Sequence, residues 1–180
     1  MSQETALRDP VYLRWLDMLT QVANICGSLL IFALVILIGA DVIGRNFLGT
    51  PVSGVPEMVT LSIVAIVFLQ APQALKSGRM TRSDALIGYL EGKVPSVARV
   101  LNTIYDLLAA LVVGAIVYAT YPIFTRAWER SEFIGAIGDF TAPVWPVKLM
   151  ILIGGSLLAL QFSARILRRF RSQRNSDGLI

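Results

Sequence analysis

Asp41 and Arg45 stand four residues apart, and Glu57 closes the same stretch, DVIGRNFLGTPVSGVPE, residues 41–57. At i, i+4 on a helix the first two share a face and can pair. Such a pair trims a helix end or offers charge to a partner protein. The stretch itself fits a surface turn, a pore mouth or a docking surface. Few other residues in the sequence could do chemistry. There is no histidine, and Cys26 is the only cysteine. A bis-His haem, a Cys/His zinc site, a Ser-His-Asp triad and an internal disulfide are all excluded within this chain. Cys26 falls inside a long apolar run and is expected to face a neighbouring helix as a small hydrophobe. Gln70 and Gln73, three apart, share a helix face. They are the nearest approach to a polar path through the apolar segments.

The elements that position these residues are membrane spans. The 180 residues are 55% hydrophobic and only 16% charged, against about 25% charged in a soluble domain. Uncharged stretches cover Met18 to Ala40, Met58 to Leu75, Leu107 to Thr125 and Leu149 to Ala164. A spanning helix needs about 20 mostly apolar residues. The first three qualify. The fourth is extended by Pro143, Val144, Trp145 and Val147 ahead of Lys148, whose stem can snorkel. The fold class expected is an all-α integral membrane protein of one domain over residues 1–180. Its spans lie near 16–40, 57–76, 100–125 and 144–165, followed by a basic tail over 166–180. The first run is longer than a signal-peptide core and reads as a retained helix.

Lysine and arginine are unevenly spread. Twelve of the 16 lie in the two tails and the loop between spans two and three. The positive-inside rule puts those segments in the cytoplasm, with N-in/C-in topology. The Asp41–Glu57 stretch then faces outward, in a bacterium into the periplasm. Pro56 and Glu57 suit the first turn of the second helix, and Gly78 ends it after Lys76. In the cytoplasmic loop, Thr81 and Asp84 have the spacing of a capping box. With Leu86, Tyr89 and Leu90 at helical spacing, and Lys76, Arg79 and Arg82 beside them, they predict a short interfacial helix. The third helix is expected to begin near Pro95 and run toward Trp128, with Pro122 inside it. Trp128, Phe133, Phe140 and Trp145 read as an interfacial aromatic belt. The positive net charge is explained by topology and by attraction to anionic membrane lipid, and needs no nucleic acid.

Inside the spans there is no charge, and the polar residues are few: Gln21, Asn24, Gln70, Gln73 and Gln161, with scattered Ser and Thr. Small residues recur four apart instead: Ala23 and Gly27, Ala110 and Gly114, then Gly155, Ala159 and Ser163. Such stripes let helix backbones approach closely. Four helices with no intramembrane charge make a poor transporter of polar solutes by themselves. A homo-oligomeric small channel or transporter is the alternative, resting on Gln70 and Gln73. Without histidine or a reactive cysteine, no enzyme is expected.

From about residue 15 to 168 the chain resembles the small membrane subunit of tripartite ATP-independent periplasmic (TRAP) transporters. The likeness rests on Asp41 and Arg45, on GTPVSGVPE, on ALKSGRMTRSDALIGYL, on Pro95, and on PVWPVKLMILIGG at the fourth helix. Gly78, Arg79 and Asp84 fit the family pattern. Met80 and Thr81 stand where the family usually carries His and a hydrophobe, and Val55 and Pro56 precede Glu57 where Trp is common. The resemblance implies a bacterial inner-membrane protein without cofactor. It implies a large multi-span permease subunit as partner, which carries the solute, usually an organic acid, with sodium ions. It also implies a periplasmic solute-binding protein. The small subunit would brace the large one, and Asp41, Arg45 and Glu57 would help receive the binding protein.

Overall fold

A computed structural model of the chain describes residues 10–78, 95–136 and 140–177. Four helices are long and apolar enough to cross a membrane, and the chain is an all-α membrane protein. α1 runs Val11–Ile43 and continues as a π-helical turn, Gly44–Leu48. α2 is Val55–Lys76, α3 Pro95–Glu129 and α4 Trp145–Asp177. Between α3 and α4 lie β1, Phe133–Ala136, and β2, Phe140–Pro143, an antiparallel ribbon that pairs Phe133 with Pro143 and Ala136 with Phe140. The interfacial helix expected between spans two and three, with Arg79, Arg82 and Asp84, lies outside the described residues.

α4 is the hub. It packs extensively on α3 and α2 and more lightly on α1, and α1 packs on α2. Adjacent glycines make this possible. They project about 100° apart on the helix, so one faces each neighbour. A Cβ on Gly154 would lie 2.2 Å from the Phe68 carbonyl oxygen of α2, and one on Gly155 would lie 2.7 Å from Val117 Cγ2 of α3. The Phe68 carbonyl is special. Pro72 sits four residues on inside α2 and has no N–H to give it. The Gly154 backbone approaches the carbonyl that lacks its helical donor, a geometry suited to a weak Cα–H···O contact. Around this seam Leu75, Leu158 and Phe162 form one apolar cluster, with Ala109, Ala110 and Val113 against it. Ala23, Leu69 and Leu157 form another.

The small residues therefore have different surroundings. Ala23 and Gly27 face α2, and Ala110 and Gly155 lie in the α3–α4 contact. Ala159 is half-buried and Ser163 exposed, its hydroxyl bonding back to the Ala159 carbonyl at 3.0 Å. A Cβ on Gly114 would meet nothing within 4 Å. Cys26 overturns its expectation, because it is exposed. α1 touches its neighbours along Thr20, Ala23 and Gly27, and Cys26 lies off that line. The outer faces of α1 and α3 carry large uncovered side chains; Phe32, Val35, Leu111 and Tyr118 are each more than half exposed.

Candidate functional site

The charged side chains that the structure describes in the helices lie toward the two ends of the bundle. One end, which carries the start of α1 and the close of α4, holds an ionic clasp built by all four helices. Asp17 of α1 takes Lys76 Nζ of α2 at 3.1 Å and Arg168 Nη2 of α4 at 3.0 Å. Gln161 Nε2, buried in α4, donates to Asp17 Oδ1 at 3.1 Å and to Thr20 Oγ1 at 2.9 Å. Asp106 of α3 is the second anchor, its side chain 0% exposed. Arg169 Nη2 lies 3.4 Å from one of its oxygens and Arg165 Nη1 3.9 Å from the other. Arg165 also donates to the Leu75 carbonyl at the end of α2, at 3.0 Å, and Arg169 to Thr103 Oγ1 at 3.3 Å.

The clasp follows from register. Arg165, Arg168 and Arg169 fall at i, i+3 and i+4, one helix face, and that face looks back between α1, α2 and α3. From sequence alone these arginines read as a topology anchor, and Asp17 and Asp106 only as span limits. A signal was present, since the inferred topology puts two acids at the basic end, each one span from the far side.

At the opposite end, Asp41 accepts Arg45 Nη2 at 2.8 Å on one oxygen and the Val52 N–H at 3.0 Å on the other. Asp41 therefore staples the α1–α2 turn. Its side chain is 11% exposed, whereas that of Arg45 is 61% exposed. Glu57 is half-buried in the first turn of α2. Of the three residues singled out for partner contact, Asp41 and Arg45 meet, and Arg45 is the one presented outward. Gly44 is required where the π turn closes: its carbonyl takes the Thr50 N–H at 3.2 Å, and a Cβ there would sit 2.7 Å from the Thr50 oxygen. Phe47 and Leu48, on the same turn, are 83% and 72% exposed.

The ribbon lies instead against Gly54, just ahead of α2. Gly54 has φ +79°, and a Cβ on it would fall 2.0 Å from Phe140 Cδ1. Glu132 fixes the base of the ribbon to α4 through Lys148 Nζ at 2.6 Å and through its carbonyl, which takes the Val144 N–H at 3.0 Å. Trp128 and Trp145 stack edge-on at 4.7 Å, so these two aromatics join α3 to α4. The sequence pattern over 133–143 does not mark the ribbon. Among the described residues no three His, Cys, Asp or Glu side chains come together as a metal site.

What this geometry can do is hold the bundle together. It fixes four helices to one another at both ends, leaves the middle of the bundle without charge, and presents Arg45, Phe47 and Leu48 at the end that carries a braced ribbon. A family model, the DctQ component of tripartite ATP-independent periplasmic transporters, matches residues 34–172. Neither the curated proteins nor the solved structures include a match.

Proposed function

The chain belongs to the DctQ component family of tripartite ATP-independent periplasmic transporters, and from that membership we propose that it serves as the fixed brace of such a transporter. In this reading it is a multi-pass protein of the inner membrane with both tails in the cytoplasm. It holds a large permease subunit that moves the solute, an organic acid, with sodium ions. It also offers part of the periplasmic face that receives the solute-binding protein. The observation that carries the reading is the distribution of charge. A translocation path needs ionisable groups or broken helices at mid-depth, and here the charges are gathered at the two ends, where most of those described pair within the chain. A body clamped at both ends suits a part against which another part moves.

The docking half of the proposal rests on Arg45 and the π turn. Asp41 holds the turn from inside, so Arg45 can meet a partner without unfolding its support. Recognition by exposed charge acts mainly on encounter and register, and salt screens it beyond about 8 Å. Arg45→Glu is expected to leave the membrane complex intact and to raise severalfold the binding-protein concentration needed for half-maximal uptake by proteoliposomes at low salt. The difference from wild type should shrink at high salt. An unchanged titration curve at low salt, with the complex intact, would remove Arg45 from the docking face.

A further inference from the structure

Polar side chains on the outer surface of a spanning helix normally satisfy themselves. Thr60 donates to the Pro56 carbonyl, Thr120 to Ile116 and Ser28 to Asn24, at 2.7–3.0 Å. Two amides in α1 do not. Gln21 is exposed and Asn24 half-buried, and neither side-chain amide makes a hydrogen bond among the described residues. Both lie on one face with Ser28, at i, i+3 and i+7. At about 1.5 Å per residue they sit roughly 6, 10 and 16 Å inward from the Asp17 clasp, within an apolar layer about 30 Å thick. Across the α1–α2 seam, Gln70 lies over Gly27 and its Nε2 reaches Ser28 Oγ at 3.4 Å, while the buried Gln73 Oε1 has no hydrogen-bond partner.

An amide carries two donors and two acceptor sites, and in hydrocarbon each unmade bond is costly. A row of such groups from one end to mid-depth is out of place against lipid. It matches the way membrane helices join, by hydrogen bonds between polar side chains across a close contact. Apolar side chains flank the row, with Ile25 and Phe32 exposed beside it. This is the form of a helix-packing face and not of a wet channel.

We infer that the Gln21–Asn24–Ser28–Gln70 seam is the surface on which a spanning helix of the large permease subunit lies, a helix that presents hydroxyl or amide groups along its cytoplasmic half. The inference deepens the brace reading and depends on it. It assigns α1–α2 to that contact, and not the outer face of α3, where no side-chain amide is exposed among the described residues.

The test uses Gln21→Leu/Asn24→Leu, which makes α1 more apolar and leaves membrane insertion unimpaired. Wild-type chain is co-expressed with the large subunit and the pair is purified in detergent. The double variant should recover about five- to tenfold less large subunit, from two modest interhelical bonds, while the chain alone melts no lower than wild type. In a Cys26→Ser background, Gln21→Cys or Asn24→Cys labelled with a thiol-reactive benzophenone should photocross-link to the large subunit. If wild type captures the large subunit and the double variant captures it equally, the seam assignment is wrong and the brace stands. Cross-links between two copies of this chain would assign the seam to self-association and also overturn it. If wild type captures no large subunit, the brace reading falls and this inference falls with it.

Discussion

Gly154→Leu is expected to disrupt the bundle, and Gly154→Ala to weaken it clearly. The first atom added at this position lands 2.2 Å from the Phe68 oxygen and 2.5 Å from its carbon. These are backbone atoms of α2, which cannot swing aside as a side chain can. Overpacking a tight contact costs about 1–3 kcal/mol and sometimes more. Here it would separate α4 from α2 along the seam that carries Leu75, Leu158 and Phe162. Gly114→Leu is the matched control, because that Cβ finds open space and loss of a helix glycine is itself favourable by up to about 1 kcal/mol. Thermal melting of the purified chain in detergent should fall for Gly154→Leu and hold or rise for Gly114→Leu. Equal melting of both would mean that α4 does not lie on the Phe68 carbonyl.

Asp106→Ala should be comparably damaging at the clasp. The carboxylate is fully buried between Arg165 and Arg169. Removing one partner of a buried pair costs about 3–5 kcal/mol. The two arginine side chains keep 28% and 25% of their surface, so water compensates in part and the lower end of that range applies. Asp106→Asn keeps the shape and removes the charge, so it should fall between wild type and alanine. Melting temperature and yield of folded protein are the readouts. If alanine melts with wild type, α3 is held to α4 by its apolar face alone.

These two sites differ in how far the sequence reveals them. The spans were legible because lipid demands length and apolarity, and runs such as Met18 to Ala40 meet the demand without context. Helix ends were legible where the residue type has a local job, as with Pro56 and Glu57 opening α2 and Gly78 following its close. Facing was not. A helix apolar all round carries no mark of its buried side, so Cys26 reads as inward from sequence but lies outward. Pairing across the chain was also hidden. Asp17 and Arg168 are 151 residues apart, and only the packing of α1 beside α4 joins them. The ribbon escaped because its eight paired residues read as an aromatic interfacial loop, and strand pairing depends on the partner strand more than on propensity. At the candidate docking end, the Asp41–Arg45 pair was readable from spacing. The part of Asp41 in holding the Val52 N–H was not, since that bond spans 11 residues of turn.

The brace reading is tested most directly by solute uptake in proteoliposomes assembled from purified parts, with binding protein, solute and an inward sodium gradient. This chain alone should give no uptake above empty vesicles, and addition of the large permease subunit should restore it. The large subunit without this chain should lose most of its binding-protein-dependent uptake. Uptake by this chain alone, or full uptake in its absence, would contradict a brace that carries no solute itself.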